Sequence, residues 1–147
     1  MNTLFESRKS SEDIEGVLHF DGSCWPNPGP NACAGFVLKF GSRIIAKSIS
    51  LGQGTNNIAE YEGLIAGLKA AIENKITRLE VYGDSQIVIF GVTKGKIKKN
   101  SKTPHIEALK IRALELVRHF KHIELIWIPR EQNAEADEMS TAAISSI

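Results

Sequence analysis

Four acidic residues stand in short motifs whose types and spacing could serve metal chemistry. Asp21 lies in HFDGS, Glu60 in TNNIAEYEGL, Asp84 in VYGDSQ and Asp137 in NAEADEMS. Carboxylates that converge without histidine or cysteine partners are oxygen-only ligands, which hard divalent cations prefer. We therefore interpret the four acids as a candidate metal site for chemistry on a phosphate.

The elements that must position these acids follow from the hydrophobic pattern. Strands are predicted over 16–20, 34–40, 43–51, 77–82 and 123–128, and helices over 58–72, 84–92, 104–120 and from 132 to the end. Thr103 and Pro104 are typical of a helix start. We predict an α/β fold with a mixed five-stranded sheet, three antiparallel strands followed by two parallel ones, and helices on both faces.

That layout gives the four acids a common location. Asp21 ends the first strand and Asp84 ends the fourth, and a right-handed crossover makes these strands parallel neighbours. Glu60 lies in the first turn of the crossover helix, on the shoulder of its buried stripe. Asp137 lies in the first turns of the last helix, which could pass over the same end. Open α/β sheets bind ligands beyond the carboxyl ends of their strands.

Each acid also has a structural interpretation. Asn57 and Glu60 have the spacing of a capping box, Asp84 stands where an N-cap belongs, and Asp137 complements the dipole of a helix start. For Asp84 and Asp137 considered one at a time, the structural interpretation as helix-start residues is favoured. Taken with their surrounding motifs, all four favour the metal site.

Composition sets limits without naming a function. A chain of 147 residues suits one domain, and 18 basic against 17 acidic residues leave a net charge of +1. Any attraction for nucleic acid must therefore be local. Cys24 and Cys33 lack C-x-x-C spacing, which favours free thiols in a reducing compartment without excluding a disulfide.

The chain is expected to form one domain after a polar segment. Residues 1–15 are charged and unperiodic, so we predict a flexible tail followed by a domain over 16–147. No window is long and apolar enough for a membrane span or a signal sequence. A cytoplasmic protein without membrane contact is the expectation.

Four segments together resemble the type 1 ribonuclease H family. They are FDGSCWPNPGP, TNNIAEYEGLIAGLKAA, GDSQIV and IPREQNAEAD, and successive acids are 39, 24 and 53 positions apart. The resemblance covers about residues 16–143. It implies a ribonuclease-H-like fold and hydrolysis of the RNA strand of RNA/DNA hybrids. It also implies two Mg²⁺ ions, with Mn²⁺ as a substitute, held by Asp21, Glu60, Asp84 and Asp137. The expected products carry 5′-phosphate and 3′-hydroxyl ends, and the expected state is a monomer.

The resemblance also implies contacts with the hybrid. Residues at positions where the family contacts 2′-hydroxyls and base edges are Gly22, Ser23, Cys24, Asn27, Asn56, Asn57 and Gln86. Thr55 matches the family's contact with a DNA phosphate; its structural alternative is a helix-start hydroxyl, and that of Asn27 is turn formation. Cys24 is expected to contribute shape and backbone rather than thiol chemistry.

Three departures from the family distinguish this chain. The lysine loop, residues 94–102, holds Lys96, Lys98 and Lys99 among five lysines, but it is shorter than the family's basic protrusion and has no tryptophan. We expect it to follow the substrate's phosphates; the alternative is a solvated loop. Where relatives place an arginine for the DNA phosphate, Gln53 stands, with Lys39 as a candidate replacement. The loop before the last helix lacks the family's histidine, whose role Arg130 or Glu131 could cover.

Two further functions stay open. One is a nuclease of the same superfamily that prefers RNA–DNA junctions or double-stranded RNA. The other is a non-catalytic hybrid-binding module, which intact acids argue against because idle carboxylates would only repel one another. Trp25 is interpreted as cover for the turn after the first strand, and Trp127 as part of the core. The four histidines form no ligand cluster.

Overall fold

Five strands form one mixed sheet. The computed structural model describes residues 12–145. The strands are β1 (Glu15–Cys24), β2 (Gly29–Phe40), β3 (Arg43–Gly54), β4 (Arg78–Gly83) and β5 (His122–Trp127), in the spatial order β3-β2-β1-β4-β5. The pairs β1–β2 and β2–β3 are antiparallel, whereas β1–β4 and β4–β5 are parallel. The predicted sheet is therefore confirmed.

Four helices cover the sheet. They are α1 (Asn56–Glu73), α2 (Gln86–Lys94), α3 (Pro104–Val117) and α4 (Ala134–Ser145), and a single 3-10 turn, Arg130–Gln132, precedes the last. Helix α1 packs on β1 and β2 and against α3, whereas α4 packs across β1, β2 and β3. The predicted last helix begins two residues later than expected, because residues 130–132 form the tighter turn.

Two glycines show that α1 and α4 lie on opposite faces. A Cβ on Gly22 would overlap the backbone of Ala59 in α1, and one on Gly35 would overlap the backbone of Ser140 in α4. Gly22 pairs with Ala34, and Gly35 is the next residue along β2. Because neighbouring residues of a strand face opposite sides, the two helices approach from opposite sides. Both approaches occur beside Asp21.

The main core lies between the sheet and α1. The predicted apolar stripe of this helix supplies Tyr61, Leu64, Ile65 and Leu68, each at most 2% exposed. The sheet contributes the buried side chains Leu18, Phe20, Phe36, Leu38, Leu79 and Val81. Burying a side chain of this size contributes about 1.5–3 kcal/mol. The acids at the sheet's end are thus carried by well-packed elements.

The caps of α1 and α2 differ from the sequence interpretation. Thr55 is the N-cap of α1, and its Oγ1 accepts a hydrogen bond from the Ile58 N–H at 3.1 Å. Ser85 is the N-cap of α2, and its Oγ accepts from the Val88 N–H at 3.3 Å. The capping interpretations of Glu60 and Asp84 were therefore wrong. A neighbouring hydroxyl does the capping in each helix.

Both tryptophans are exposed, and only one of them was expected in the core. Trp25 is 71% exposed in the turn between β1 and β2, and Trp127 is 38% exposed at the end of the edge strand β5. An edge strand lacks a neighbour on one side, so its last side chain has little cover. The indole Nε1–H of Trp127 donates to the Asp84 carbonyl oxygen at 3.0 Å. The core interpretation of Trp127 was therefore wrong, whereas Trp25 lies in the turn as expected.

The two cysteines are free thiols on opposite faces of the sheet. Cys24 packs with Ala32 and Ala59 beneath α1. The Cys33 sulfur lies 3.7 Å from the Met139 carbonyl oxygen of α4. Because the sheet separates the two sulfurs, a disulfide between them is not compatible with this fold.

The packed chain begins before the predicted boundary at residue 16. The Ile14 carbonyl accepts from the Thr77 N–H at 2.9 Å, and the Asp13 carboxylate pairs with Lys121 at 3.0 Å. Residues 13–15 therefore pack against the domain. Residues 1–11 of the predicted tail lie outside the described residues, as do residues 146–147. Between residues 12 and 145, no helix has the length and apolarity needed to cross a bilayer.

Candidate active site

Three of the four predicted acids converge. One carboxylate oxygen from each of Asp21, Glu60 and Asp84 lies within 4.8 Å of the others. Asp21 comes from β1, Glu60 from α1, and Asp84 from the link between β4 and α2. The convergence predicted from strand order and helix phase is confirmed for these residues.

The parallel pairing of β1 and β4 places the two aspartates side by side. His19 pairs with Tyr82 at the end of the shared ladder. Asp21 lies two residues further along β1, and Asp84 lies two residues beyond Tyr82, just after the end of β4, so the two side chains leave the sheet at the same level. This level is the carboxyl end of the parallel strands, as expected for a ligand site.

Glu60 reaches the cluster because α1 packs unusually close to β1. A Cβ on Gly63 would lie 2.5 Å from the Asp21 carbonyl oxygen, so only glycine fits there. Glu60 is 8% exposed, and its Oε2 has no hydrogen-bond partner within the described part of the chain. A buried carboxylate oxygen without a partner is costly unless a cation or proton compensates it.

The electrostatics of the cluster favour protons in the absence of a cation. Burial, followed by the charge of Asp21, raises the pKa of Glu60 to about 10. Burial also raises the pKa of Asp21 to about 6, although a hydrogen bond from Glu60 opposes the shift. Burial raises the pKa of Asp84 too, while Asn133 opposes it. Without a cation, the cluster thus tends to keep a proton on Glu60, and a bound divalent cation would supply the compensating positive charge instead.

Asp137 lies at the rim of the same cavity. The cavity has a volume of about 210 Å³ and is lined by Asp21, Gly22, Ser23, Asn56, Glu60, Asp84, Arg130 and Asp137. The guanidinium Nη2 of Arg130 lies 3.4 Å from Asp137 Oδ1. Asp137 therefore lies beside the cluster, where its carboxyl group adds to the effect of burial in raising the pKa of both Asp21 and Asp84, and Arg130 pairs with its carboxylate.

A second groove continues from the acidic cavity. It has a volume of about 400 Å³, and its lining comprises Asn27, Thr55, Asn56, Asn57, Thr103, His105 and Ile106. Asn56 lines both spaces. Four of the predicted contact residues therefore share one surface. Thr103 and His105, at the start of α3, were not predicted as contact residues because α3 is distant along the chain from the other groove residues.

The groove is braced by hydrogen bonds among the predicted contact residues. Asn56 Oδ1 accepts from the Cys24 N–H at 2.8 Å, and Asn27 Oδ1 accepts from the Asn56 N–H at 3.0 Å. Asn27 therefore ties the turn between β1 and β2 to the start of α1. Cys24 is buried, and its thiol faces backbone carbonyls such as that of Gly54 at 3.3 Å. Its contribution of shape and backbone to the substrate site stays a prediction.

The lysine loop is exposed but anchored. Glu107 of α3 is 8% exposed, and its Oε1 accepts from the Lys98 N–H at 2.8 Å. Its Oε2 pairs with Lys110 at 3.5 Å, and the Lys110 ammonium donates to the Lys96 carbonyl oxygen at 3.3 Å. These bonds fix the backbone while leaving the Lys96, Lys98 and Lys99 side chains in solvent. Gln86, at the start of α2, is exposed as well.

Lys39 does not replace an arginine at Gln53. Lys39 pairs with Ile44 near one end of the β2–β3 ladder, whereas Gln53 lies at the other end, beyond Gly52. At about 3.4 Å per residue the two positions are more than about 20 Å apart. The Lys39 ammonium instead pairs with Glu135 at 2.8 Å. The candidate replacement was wrong, because antiparallel pairing separates the two ends.

The donor set fits hard divalent cations. Three carboxylates converge without a histidine or cysteine ligand among them, and one of them carries an unpartnered buried oxygen. Oxygen-only sites of this kind suit Mg²⁺ and Mn²⁺ rather than Zn²⁺ or copper.

Comparison with known proteins places the fold in one class. A family model described as reverse transcriptase-like matches residues 19–143. The crystal structure of ribonuclease H1 from Halobacterium salinarum superposes with a TM-score of 0.81 at 32% identity, covering 90% of this chain and 99% of that one. The structure of LC11-RNase H1, a protein isolated from compost and solved in complex with an RNA/DNA hybrid, superposes with a TM-score of 0.72 at 29% identity. The match covers 89% of this chain and 97% of that one. The fold is thus that of the ribonuclease-H-like α/β proteins.

Relatives in sequence define the family. Ribonuclease HI of Halobacterium salinarum is 38% identical over 136 residues, 90% of this chain and 66% of that protein. Ribonuclease HI of Haemophilus ducreyi is 36% identical over 117 residues, 74% and 73% of the two chains. The chain belongs to the ribonuclease HI family. It spans only 35% of a bifunctional protein of Mycobacterium tuberculosis, to which it is 35% identical over 132 residues.

Proposed function

We propose that this chain is an endonuclease that hydrolyses the RNA strand of RNA/DNA hybrids. The observation that carries the proposal is the convergence of Asp21, Glu60 and Asp84 at the carboxyl ends of two parallel strands, in a chain of the ribonuclease HI family. A structural neighbour solved with an RNA/DNA hybrid supports the choice of substrate.

The acids would hold two Mg²⁺ ions, with Mn²⁺ as a substitute. Asp21, Glu60 and Asp84 supply clustered oxygens, and Asp137 at the rim is the proposed fourth ligand. The chemistry that such ions supply is activation of a water and stabilisation of the charge on the leaving 3′ oxygen, which gives 5′-phosphate and 3′-hydroxyl ends. The protein's part is to hold the carboxylates in place and to seat the scissile phosphate.

The two connected spaces suggest how a hybrid would lie. The RNA strand would pass the acidic cavity, where Gly22, Ser23 and Asn56 could contact 2′-hydroxyls. The DNA strand would follow the groove past Asn27, Thr55 and Asn57, with Thr103 and His105 opposite. Asn56, which lines both spaces, is suited to sense the two strands together. Gln86 and the Cys24 backbone complete the proposed contacts.

Arg130 is the residue best placed to cover the absent histidine. It lines the acidic cavity and lies 3.4 Å from Asp137 Oδ1. An arginine stays charged at working pH, so it cannot accept a proton. Its proposed part is therefore to bind the phosphate and assist product release, not to act as a base.

The lysine loop is proposed to follow the phosphates of the hybrid. Each lost phosphate contact reduces the slope of log affinity against log salt by somewhat less than one unit. Replacing Lys96, Lys98 and Lys99 with alanine should therefore weaken binding and reduce that slope by about two to three units if each lysine contacts one phosphate. Binding titrations over a range of salt concentrations measure both. A control variant with Lys47, Lys69 and Arg118 changed to alanine removes the same charge elsewhere. If both triple variants show the same slope of log affinity against log salt, the lysine loop does not contact the phosphates and is only a solvated loop.

A substrate panel tests the proposal against its alternatives. Labelled RNA/DNA hybrid, an RNA–DNA junction, double-stranded RNA and single-stranded RNA are each incubated with Mg²⁺, with Mn²⁺ or with chelator. We expect metal-dependent cleavage within the hybrid's RNA strand. Preferred cleavage of the junction or of double-stranded RNA would support the related nuclease. Tight hybrid binding without cleavage in either metal would indicate a non-catalytic binding module. Sedimentation of the same sample checks the expected monomer.

A further inference from the structure

Two fully buried neutral side chains of the last helical segment each contact one clustered aspartate. Asn133, just before α4, is 1% exposed, and Ser140, in the second turn of α4, is 0% exposed. Asn133 Nδ2 donates to Asp84 Oδ2 at 3.3 Å. Ser140 Oγ donates to Asp21 Oδ2 at 3.2 Å. Neither residue is among the acids or the proposed substrate contacts.

The contacts of Asn133 are not those of an ordinary helix cap. The Asn133 carbonyl accepts from the Asp137 N–H at 3.0 Å, which places Asn133 at the N-cap position of α4. An asparagine there normally accepts a backbone N–H through its side-chain oxygen. Its Oδ1 has no partner within residues 12–145, whereas its Nδ2 also donates to the Phe20 carbonyl at 2.9 Å. The side chain thus donates hydrogen bonds to β1 and to Asp84 instead of capping its own helix.

Ser140 has a local acceptor and nevertheless reaches the cluster. Serines within helices usually donate to a carbonyl three or four residues earlier, and the Asp137 carbonyl lies 2.9 Å from Ser140 Oγ. The close approach of α4 to Gly35 brings the same hydroxyl to Asp21. Ser23 Oγ donates to the Ser140 carbonyl at 2.8 Å and fixes the same turn.

We propose that Asn133 and Ser140 are positioning residues, each donating to one oxygen of a metal-binding aspartate and so orienting the carboxylate for a divalent cation. This inference rests on the proposed function of the acids as ligands. A neutral donor orients a carboxylate without cancelling its charge, whereas lysine or arginine in the same place would compete with the cation. Docking of α4 thereby couples the geometry of Asp21 and Asp84 to the position of Asp137 on the same helix.

Two alanine variants with matched controls test the proposal. Ser140→Ala and Asn133→Ala remove the donors. Thr141→Val removes the neighbouring hydroxyl, which donates to the same Asp137 carbonyl at 3.1 Å. Asn74→Ala removes an asparagine that donates to the Ala70 carbonyl at 2.8 Å at the end of α1. Titration calorimetry with Mn²⁺ on the full chain gives the affinity, and melting in chelator gives the stability.

Both test variants should bind Mn²⁺ about tenfold or more weakly, because outer partners of metal ligands typically contribute 10–100-fold. Both controls should stay within about twofold of the wild type. Unchanged affinity in Ser140→Ala and Asn133→Ala, with only a lower melting temperature, would overturn the proposal and leave a structural role. Ser140→Cys is the second variant, to be used if Ser140→Ala does not fold. A thiol keeps about the volume of the hydroxyl but is only a weak donor, so this variant should also bind Mn²⁺ more weakly than the wild type.

The wild type separates this inference from the proposed function. A wild-type protein that neither binds Mn²⁺ nor cleaves the hybrid would contradict the function itself. A wild type that does both, beside test variants indistinguishable from the controls, would contradict only the roles of Asn133 and Ser140.

Discussion

Asp84→Asn is expected to abolish Mg²⁺-dependent cleavage of an RNA/DNA hybrid while leaving hybrid binding close to that of the wild type. The variant keeps the shape of the side chain and its place beside Asn133, but removes a charge from a cluster whose oxygens lie within 4.8 Å. Outer partners of metal ligands contribute up to about 100-fold, so a direct ligand should exceed that value. Asp21→Asn should behave in the same way.

Single-turnover cleavage and a binding titration with each purified variant provide the measurement. Glu138→Gln is the matched control, since it removes an exposed acid next to Asp137 and should cleave at the wild-type rate. Cleavage by Asp21→Asn or Asp84→Asn within about tenfold of the wild type would contradict their assignment as ligands. Loss of binding together with cleavage would indicate damage to the groove instead.

Glu60→Gln should stabilise the metal-free protein at neutral pH. Burial and the charge of Asp21 raise the pKa of Glu60 from 4.5 to about 10. An acid whose pKa is raised on folding contributes to the free energy of unfolding only while it is protonated. This contribution is fully present below pH 4.5 and is lost progressively as the pH rises towards 10. At about 1.4 kcal/mol per pH unit, the loss at pH 7 is on the order of 3 kcal/mol, against less than about 1 kcal/mol at pH 5. Glutamine carries no charge at either pH.

Urea unfolding in chelator at pH 5 and at pH 7 measures this difference. The free energy of unfolding of Glu60→Gln should exceed that of the wild type at pH 7 and nearly equal it at pH 5. Added Mn²⁺ should then stabilise the wild type more than the variant, because an ion that binds the folded site stabilises by mass action. A difference in unfolding free energy that does not change with pH would show that Glu60 is not strained by its neighbours.

Much of the fold and the core of the site could be predicted because both depend on local pattern and strand order. The alternation of strands and helices fixed the parallel pairing of β1 with β4, and hence the meeting of Asp21 and Asp84. The helical stripe of α1 placed Glu60 towards the sheet. The helix caps were less predictable, because Thr55 and Ser85 stand beside residues that could also cap.

The remaining features depend on how distant elements dock. Ser140 meets Asp21 only because α4 crosses the sheet at Gly35, and Glu107 meets Lys98 only because α3 packs beside the loop. Such contacts leave no periodic signal in a single sequence. The exposure of Trp127 depends in the same way on β5 being an edge strand. Asp137, the proposed fourth ligand, stays a prediction at the rim of the cavity.

The central claim, that these carboxylates hold metal for hydrolysis of an RNA strand by water, is tested most directly by the ends of the cleavage products. Hybrid with labelled RNA is cleaved by the wild type in Mg²⁺, and the fragments are compared with standards for each kind of terminus. We predict 5′-phosphate and 3′-hydroxyl ends, and no cleavage in chelator. Fragments that end in a 2′,3′-cyclic phosphate, or cleavage that continues in chelator, would mean that the 2′-hydroxyl attacks without metal and would contradict the account.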